Sequence, residues 1–523
     1  MKTVFAMMTS RSTMNFSSIG TMTKSAVRGS LPSTLVFRLA FALCLVGMPV
    51  LDLQMMAATV SKSSEWERSV VTVEVTRKLH DYIQPWSART ASFLKAGTLI
   101  GPDKILTTAE FLSDYTLIRL QKGGRGKWFP GKVAWVDYHA NLALVTSEDP
   151  TFWVGLKPAR LTDATPTKGE VALVRWKDGR FENRKAEITR FDIKKSKLSY
   201  VEHLSLQVDC EAKAVGWGEP IVSDGRLMGL TTGQDGNSCS VIPAAFIKPI
   251  VDAVIKGTYR GLGYFDFTWQ RAENPSIHKF LKWEGEPRGV VVIDVPKIPG
   301  VTPQLKTRDI ILKIDGFNID TQGDFKDPVF GELLLEGLAT RGKWAGDEFK
   351  LSIWRDGKIQ DVSYKLPKVS YATDLVPQAI FDQPPEYVIV GGLVFETLSE
   401  PYLRSWGNDW RRRVPFRLGY YQRDHPTPER PTVVILSLVL PDTFNIGYQE
   451  YRYLAVHKIN GQLIARLSDV PKALKKPVDG FHVIEFERGD VYRRLVLDAA
   501  ETDTATRRIL ERYRIEKDRV LAN

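Results

Sequence analysis

LQVDCEAKAVGWGEPIVSDGRLMGL, residues 206–230, has the pattern of a strand, a glycine-rich turn and a second strand. Apolar residues form short runs on both sides of the turn, which is typical of buried β-strands. Glycines at 216, 218 and 225 can adopt the positive backbone angles that tight turns require. The turn itself, VGWGEP at 215–220, contains no serine. This stretch therefore predicts a β-rich domain built around an unusual turn.

The same β pattern extends over residues 66–257. Short apolar segments separated by turns occur at 69–75, 97–112 and 169–191, and a hairpin is predicted around the glycine pair at 123–124. A helix-period stretch first appears at 243–257, where Gly257 can terminate the helix. These patterns predict a barrel or sandwich that is followed by one helix.

Two further units follow the β-rich domain, and the later of these two weakly repeats the earlier one. Residues 260–367 contain predicted strands, a hairpin turn at Asp356-Gly357 and a predicted helix over 327–341. Residues 380–497 repeat this order, with KINGQ where the first copy has KIDGF. An insertion, 404–431, makes the copies unequal, and its run WRRRVPFR at 410–417 could contact an acidic partner or be a solvated face. The last segment, 501–523, predicts a C-terminal helix with Ile509, Leu510 and Tyr513 on one side.

The composition is that of a soluble globular protein. The chain has 523 residues, of which 43% are hydrophobic and 25% are charged, and domains of about 100–200 residues predict two to four of them. The formal net charge is +11. Part of it lies in residues 1–58, so the mild excess over the rest of the chain argues against a nucleic-acid partner.

Residues 1–58 are interpreted as a targeting segment. They carry basic residues and no acidic residue before Asp52, an apolar run at 39–51, and small residues at Ala57 and Ala58. This pattern fits a signal peptide cleaved near Ala58, which predicts an exported, periplasmic or extracellular protein. A membrane anchor formed by 39–51 and an organellar transit peptide are the alternatives. Cys210 and Cys239 would remain after cleavage, either paired in an oxidising compartment or as separate buried thiols.

Six motifs together resemble the Deg/HtrA (protease Do-like) family of trypsin-fold serine proteases with C-terminal PDZ domains, closest to its plant-type branch. The resemblance covers roughly residues 66–523. It implies a mainly β chain, with a trypsin-like double β-barrel followed by two PDZ-like α/β domains, of which the second is divergent. The motifs are LQVDCEAKAVGWGEP (206–220), ILTTAEFL (105–112), ANLALV (140–145), YRGLGY (259–264), YVIVGGLVFETLSEPYL (387–403) and NIGYQEY (445–451).

The resemblance also implies where a catalytic triad would lie. A serine protease needs a hydroxyl that attacks, an imidazole that takes its proton, and a carboxylate that holds the imidazole. The family patterns place the histidine at Glu110, the aspartate at Asn141 and the serine at Trp217. None of the three side chains can perform the expected role. The family's first turn glycine is replaced by Val215, whose β-branched side chain resists unusual backbone angles, so the oxyanion hole is also expected to be lost.

The sequence also contains candidates for a displaced nucleophile. His139 precedes Asn141 by two residues, and Ser223 or Cys210 lies within seven residues of Trp217, so a Ser-His or Cys-His pair is conceivable. The alternative is that His139, Ser223 and Cys210 are structural or surface residues. The seven histidines are scattered without metal-binding spacing, and no phosphate-binding glycine loop occurs. No metal and no small-molecule cofactor are expected.

Peptide binding is the function that the sequence favours. PDZ domains bind a peptide C-terminus as an added strand, and a glycine-containing loop binds its carboxylate. Gly261-Leu262-Gly263-Tyr264 resembles this loop, although it could also be a plain interdomain turn. The corresponding loop of the third unit would be VGGLVF at 390–395, with a looser match that suggests intramolecular packing or assembly.

Two hypotheses follow from these residues. The first is an exported pseudoprotease that binds peptide C-termini or unfolded proteins as an adaptor, chaperone-like protein or regulator. The second is a serine-type endopeptidase of protein quality control with a non-standard active site. The resemblance also implies a homo-oligomer based on trimers.

Overall fold

The computed structural model describes residues 65–296, 303–371, 374–488 and 493–522. The predicted targeting segment, residues 1–58, lies outside these residues. Within the described ranges, no helix is both long enough and apolar enough to cross a bilayer.

The first barrel is built from six antiparallel strands that close on themselves in the order β1-β2-β3-β6-β5-β4. Alternation in the first strand turns Val71, Val73 and Val75 into the barrel core, where each is almost fully buried. The strands are β1 (Val70–His80), β2 (Ala88–Gly101), β3 (Lys104–Thr107), β4 (Tyr115–Lys122), β5 (Phe129–Asp137) and β6 (Leu142–Thr146).

The second barrel has the same architecture and the strand order β10-β11-β12-β9-β8-β7. A short helix, α1 (Pro150–Trp153), follows the first barrel, and α2 (Ala244–Ile255) packs on the second barrel through Phe246, Ile247 and Ile250, as the sequence predicted. The strands are β7 (Glu170–Lys177), β8 (Arg180–Lys195), β9 (Glu202–Cys210), β10 (Pro220–Ser223), β11 (Arg226–Asp235) and β12 (Ser238–Pro243). The double β-barrel is therefore confirmed.

The next unit is a sheet with the order β13-β14-β15-β19-β20. Its elements are β13 (Thr268–Gln270), α3 (Pro275–Phe280), β14 (Val290–Asp294), β15 (Ile310–Ile314), β16 (Phe317–Asn318), β17 (Asp324–Asp327), β18 (Gly331–Leu334), a 3₁₀ helix (Leu335–Thr340), β19 (Glu348–Arg355) and β20 (Lys358–Lys365). The helix predicted over 327–341 is confirmed only in its second half, as the 3₁₀ helix over 335–340, and is wrong for residues 327–334. The Asp327 carboxylate accepts the N–H groups of Val329 and Phe330, and Gly331 has a φ of 84°, so the chain turns into the β17–β18 hairpin.

The third unit repeats this sheet with two extra edge strands. The order β22-β23-β24-β26-β27 corresponds to β13-β14-β15-β19-β20, which agrees with the predicted duplication. Its strands are β21 (Tyr387–Val390), β22 (Leu393–Thr397), β23 (Val434–Val439), β24 (Leu454–Ile459), β25 (Gln462–Leu463), β26 (Phe481–Phe486), β27 (Arg494–Asp498) and β28 (Arg519–Val520). Its helices are α4 (Glu400–Arg404), α5 (Trp410–Arg413), α6 (Phe416–Tyr421), a 3₁₀ turn (Thr443–Asn445), α7 (Asp469–Leu474) and α8 (Ala499–Tyr513).

The predicted C-terminal helix is α8, but it ends earlier than the sequence suggested. Arg514 adopts a left-handed conformation with a φ of 55°, which stops the helix, and the chain then forms β28 along the edge of β21. Ile509 is fully buried against β21, so this terminal segment is part of the third unit.

Candidate functional site

The three predicted triad positions meet between the two barrels. The backbone N–H of Glu110 donates to Oδ1 of Asn141 at 3.1 Å, so the first two positions remain in direct contact. Lys197, from the β8–β9 turn, places its Nζ 2.9 Å from Oε1 of Glu110 and 5.3 Å from the centre of the Trp217 ring. Lys197, which contacts both Glu110 and Trp217, was not predicted from the sequence.

Trp217 lies in an aromatic stack instead of filling a deep cavity. Its ring stacks on Phe111 with centroids 5.2 Å apart, and Phe111 stacks on Phe93 at 4.1 Å. The side chain is still 37% exposed, and its backbone carbonyl accepts the N–H of Ala96 at 2.9 Å. At the position that the resemblance predicts for the nucleophile, the indole is therefore a packing group between the two barrels.

A carboxylate occupies the donors of the turn. Oε2 of Glu219 accepts the backbone N–H of Gly216 at 3.0 Å and that of Trp217 at 2.8 Å, and the Thr231 hydroxyl also donates to it. Glu219 is only 4% exposed. Backbone N–H groups on such a turn are the groups that would stabilise an oxyanion in acyl transfer. Here two of them are used by the chain's own side chain.

Val215 does not adopt the unusual backbone angles that were expected at its position. The left-handed backbone angles lie at its neighbours, with φ of 57° at Ala214 and 119° at Gly216, and Val215 itself is not among the residues with positive φ. The N–H of Val215 donates to Oε1 of Gln234 at 3.1 Å. The valine is thus accommodated, and side-chain acceptors are what occupy the turn's donors. Glu219 lies two residues after Trp217 in VGWGEP, and this acidic residue in the turn was the signal available in the sequence.

Arg175 holds the turn that carries Trp217 and Glu219 through buried hydrogen bonds. Its guanidinium donates to the carbonyls of Ala214 at 2.9 Å and Lys213 at 3.0 Å, and to Glu182 at 2.9 Å. It also lies 3.8 Å from Glu219, and its side chain is 6% exposed. The planar guanidinium matches several oxygen acceptors at once, so the turn is held in one conformation.

A second buried cation lies under the Glu110 segment. The ammonium of Lys95 donates to the carbonyl and hydroxyl of Thr108 and, at 2.7 Å, to the carbonyl of Glu110. Burial lowers the pKa of Lys95 to about 7, whereas the nearby Glu110 charge acts in the opposite direction. No sequence motif pointed to this residue.

One of the displaced pairs considered from the sequence has a counterpart in the structure. Nδ1 of His139 lies 2.9 Å from Oγ of Ser199, a serine that the sequence analysis had not named. Ser199 is 9% exposed and its Oγ also accepts the N–H of Val201. Burial lowers the pKa of His139, whose ring packs at 5.1 Å from Tyr371. The rings of Tyr200 and Tyr371 flank the histidine of this pair.

The other predicted nucleophiles have no histidine partner among the described residues. Ser223 bonds to Asp224 at 3.3 Å. Cys210 and Cys239 are both buried and free, so the disulfide alternative is wrong for this structure. Burial raises the pKa of Cys239 to about 12, with the nearby Cys210 adding to the effect, which keeps the thiol protonated.

The predicted peptide-binding loop, Gly261–Tyr264, is a bend with a φ of 91° at Gly261. It packs against the segment after β20, since the N–H of Val369 donates to the Leu262 carbonyl at 3.1 Å. A Cβ on Gly263 would lie 2.9 Å from that of Leu366, so a glycine is required there by close packing. The strand that follows, β13, is the edge of its sheet. A free edge beside a glycine loop is the arrangement that strand addition needs.

A side-chain bridge restricts the space beside that edge. Nε1 of Trp269, on β13, donates to Oε1 of Glu336, on the 3₁₀ helix, at 2.8 Å. Burial raises the pKa of Glu336, although this hydrogen bond acts against the shift. A peptide that pairs with β13 would have to pass this bridge or displace it.

The glycine loop of the third unit is covered by the chain itself. The N–H of Gly391 donates to the Thr506 hydroxyl on α8 at 2.8 Å, and its carbonyl accepts from the Asn445 amide at 2.8 Å. A Cβ on Gly392 would lie 2.4 Å from that amide. These contacts support the expectation that this loop serves packing within the chain.

No group of three or more potential metal ligands occurs in the described ranges.

Comparisons with known proteins give a consistent result. Residues 376–520 match the family model described as PDZ domain. Protease Do-like 2, chloroplastic, of Arabidopsis thaliana is 27% identical over 463 residues, which are 86% of this chain and 74% of that protein. Protease Do-like 4, mitochondrial, of the same plant is 24% identical over 86% of this chain and 84% of its own length. A solved structure, the HtrA-type protease AlgW with decapeptide, covers 60% of this chain and 98% of its own with 15% identity and a TM-score of 0.44.

Proposed function

The chain belongs to the Deg/HtrA (protease Do-like) family, with a trypsin-like fold and a PDZ domain, and we propose that it is a pseudoprotease that binds peptides or unfolded chains without cleaving them. The observation that carries the proposal is the carboxylate of Glu219, which accepts the N–H groups of Gly216 and Trp217. A negative group at this point would repel a developing oxyanion and leaves it no free donor from these two residues.

The side chains around the turn support the same conclusion. Trp217 offers no nucleophilic atom, and Asn141 is neutral, so it cannot stabilise an imidazolium. Glu110 is paired with Lys197 at 2.9 Å. With nucleophile, base, orienting carboxylate and oxyanion donors all replaced or occupied, a trypsin-like mechanism has no remaining component.

The binding function rests on the first PDZ-like unit. Gly261–Tyr264 lies directly before the edge strand β13, and peptide C-termini would add to this edge. The third unit would act in packing or assembly, because Thr506 and Asn445 already occupy its loop. The protein would then be an adaptor, a chaperone-like protein or a regulator, and by family resemblance a homo-oligomer based on trimers.

The location is part of the proposal. The sequence favours export after cleavage near Ala58, with an organellar transit peptide as an alternative. The names of the two Arabidopsis relatives, chloroplastic and mitochondrial, support the organellar alternative. Fractionation of cells that express the full chain, followed by N-terminal sequencing of the mature protein, distinguishes them.

The test uses the purified chain in two assays. The protein should not cleave unfolded casein, and a fluorophosphonate probe should not label it. Peptides with a free C-terminus should bind to the protein, whereas their amidated forms should not. Gly261→Ala should weaken this binding, because its φ of 91° is unfavourable for alanine. Gly357→Ala is the matched control, with a φ of 81° in the remote β19–β20 turn. Cleavage that a single substitution abolishes, or equal binding of amidated peptides, contradicts the proposal.

A second candidate function is favoured by one contact. Nδ1 of His139 lies 2.9 Å from Oγ of Ser199, which is the geometry of a nucleophile and its base. If the protein were an endopeptidase with a non-standard site, Ser199→Ala would abolish both casein cleavage and probe labelling. We expect no labelling of either form.

A further inference from the structure

The helical insertion between β22 and β23 carries a surface that the proposed peptide binding does not use. Residues 398–433 connect these two strands, whereas a shorter segment, 271–289, connects the equivalent strands of the first PDZ-like unit. Within the insertion, residues 404–423 contain six arginines and a single acidic residue, Asp409, so their formal net charge is +5. This segment includes the short helices α5 and α6.

Both helices bury their apolar side chains in one hydrophobic cluster. Trp410 and Val414 pack there from α5 and its end, and Leu418 and Tyr421 pack there from α6. Because residues three or four positions apart share one face of a helix, the positions between them point away from that face. The outer faces of α5 and α6 therefore both lie on the side away from this cluster.

Two aromatic rings project from the outer face of α6. Phe416 is 85% exposed, and Tyr420, one turn later, is 57% exposed. Their ring centroids are 6.1 Å apart, so the two rings form one apolar patch. A phenylalanine left in water forgoes the free energy of burial, and exposed apolar groups with a polar rim mark interaction sites.

The exposed arginines beside these rings are not neutralised. Three positions separate Arg413 from Phe416, which is at most about 11 Å along an extended chain. Arg417 is occupied, since its guanidinium donates to the backbone carbonyls of Glu487 and Arg488. Four other exposed arginines form no ion pair or side-chain hydrogen bond with any residue that the structure describes: Arg411, Arg412, Arg413 and Arg423.

We propose that this basic aromatic surface docks the protein on a lipid bilayer that contains anionic lipids; it comprises Arg411, Arg412, Arg413, Phe416, Tyr420 and Arg423. The rings would enter the boundary between headgroups and acyl chains, where aromatic side chains are favoured. The guanidinium groups would pair with lipid phosphates, and each contributes about fivefold in affinity near such a surface. The docking is independent of the proposed peptide binding.

The projecting ring of Phe416 favours a bilayer over other acidic partners. Single-stranded nucleic acid is bound by aromatic stacking within a basic groove, whereas a ring that is 85% exposed is not enclosed by a groove. A folded protein partner would need a matching pocket for the ring. The fluid boundary of a bilayer accepts such a ring without a complementary shape.

The experiment measures binding of the full chain to vesicles by flotation. One set of vesicles is phosphatidylcholine alone, and the other is phosphatidylcholine with phosphatidylglycerol. We expect at least about tenfold tighter binding to the mixed vesicles, since several arginines contribute about fivefold each, and we expect added salt to weaken it.

A local measurement assigns the contact to the insertion. Residues 1–58 also carry an apolar run and basic residues, so total binding alone does not locate the contact. Hydrogen exchange of the full chain, followed by mass spectrometry, reports each segment separately. Peptides from residues 410–423 should exchange more slowly with mixed vesicles than without vesicles.

An aromatic variant and its control test the role of the ring. Phe416→Ser should reduce the affinity for mixed vesicles about tenfold, since the ring is no longer buried in the bilayer. Phe280→Ser is the matched control, because Phe280 is 69% exposed and lies 5.6 Å from the guanidinium of Arg308, in the first PDZ-like unit. It should leave the affinity unchanged.

A charge variant and its control test the arginines. Arg412→Gln combined with Arg413→Gln should reduce the affinity for mixed vesicles about 25-fold, at about fivefold for each charge. Lys475→Gln combined with Lys476→Gln is the matched control, because it removes two exposed positive charges from the same unit outside the insertion. Its effect should be much smaller.

Four outcomes overturn the proposal. They are equal affinity for the two kinds of vesicle, unchanged affinity in Phe416→Ser, unchanged exchange in 410–423, and a control variant that weakens binding as much as its partner. Binding to polyuridylate without binding to mixed vesicles would also overturn it and would identify a nucleic acid as the partner. Gly261→Ala should leave vesicle binding unchanged, so failure of this proposal is distinguishable from failure of peptide binding.

Discussion

Restoring the triad alone should not restore catalysis. The perturbation is the triple substitution Glu110→His, Asn141→Asp and Trp217→Ser, which returns the family's side chains to positions that already lie together. Because the carboxylate of Glu219 still holds the N–H groups of residues 216 and 217, the attacking serine would face a site without these donors. The triple variant should remain inactive.

The magnitude follows from the number of donors withheld. In the trypsin template the oxyanion donors are the N–H groups at the nucleophile and two residues before it, here Trp217 and Val215; Glu219 holds the first and Gln234 the second. Removing one oxyanion donor costs about 10²–10³ in kcat. Adding Glu219→Gly to the triple variant frees the oxyanion donor at residue 217, together with the N–H of Gly216, and removes the repelling charge. We therefore expect the fourfold variant, which carries all four substitutions, to react at least about 10² times faster than the triple variant.

The assay is the rate of fluorophosphonate labelling, supported by casein cleavage. Labelling proceeds through the same kind of charged intermediate, so it reports both the nucleophile and the donors. Glu219→Gly alone is the control, because it opens the donors without a nucleophile and should not label. Loss of the buried carboxylate beside Arg175 also destabilises the turn by about 3–5 kcal/mol, so urea unfolding must show that each variant is folded.

Two results would contradict the role given to Glu219. If the triple variant labels as fast as the fourfold variant, the contact of Glu219 with the turn does not limit the chemistry. If a folded fourfold variant is as inactive as the triple variant, something other than the occupied donors silences the site.

Three more predictions concern buried charges. Burial lowers the pKa of Lys95 to about 7 in the native chain. Between about pH 7 and 10.5 the unfolded chain therefore binds a proton at Lys95 that the native chain lacks. Urea unfolding should show stability rising with pH in this window, and Lys95→Met should flatten the rise. The pKa of Glu396 is raised to about 8 by burial, so stability should fall between about pH 4.5 and 8, and Glu396→Gln should remove this fall in the same titration. Arg175→Gln should destabilise the chain by about 3–5 kcal/mol in chemical unfolding, since it leaves Glu182 and Glu219 without their buried partner. An unchanged pH profile in either titrated variant, or a stability loss for Arg175→Gln no larger than that of the exposed Arg184→Gln, would contradict these assignments.

Local patterns predicted most of the β architecture because they depend on neighbouring residues. Alternation placed Val71, Val73 and Val75 in the first barrel, and the periodicity of 243–257 predicted α2. The leucine-rich stretch after Asp327 misled the same reasoning, because a carboxylate-capped turn and the positive φ of Gly331 outweighed helix propensity. Turn chemistry decided the structure there.

The site was only partly predictable for the opposite reason. Glu110, Asn141 and Trp217 were found from their place in motifs, and each motif is short. Lys197 reaches Glu110 from a turn 87 positions further along the chain, and no spacing rule gives such a contact. Glu219 is close in sequence to the donors it occupies, yet its role depends on the left-handed angle of Gly216, which appears only once the backbone is known.

In the proposed pseudoprotease, the contacts at the predicted triad positions keep the cleft residues together. Active sites usually hold strained or unpaired groups at a cost in stability. Here the same positions carry an ion pair between Lys197 and Glu110, a stacked Trp217, and a buried carboxylate with three donors. In the proposed pseudoprotease these contacts join the two barrels across the cleft, whereas a working active site would need the same groups free to act on substrate.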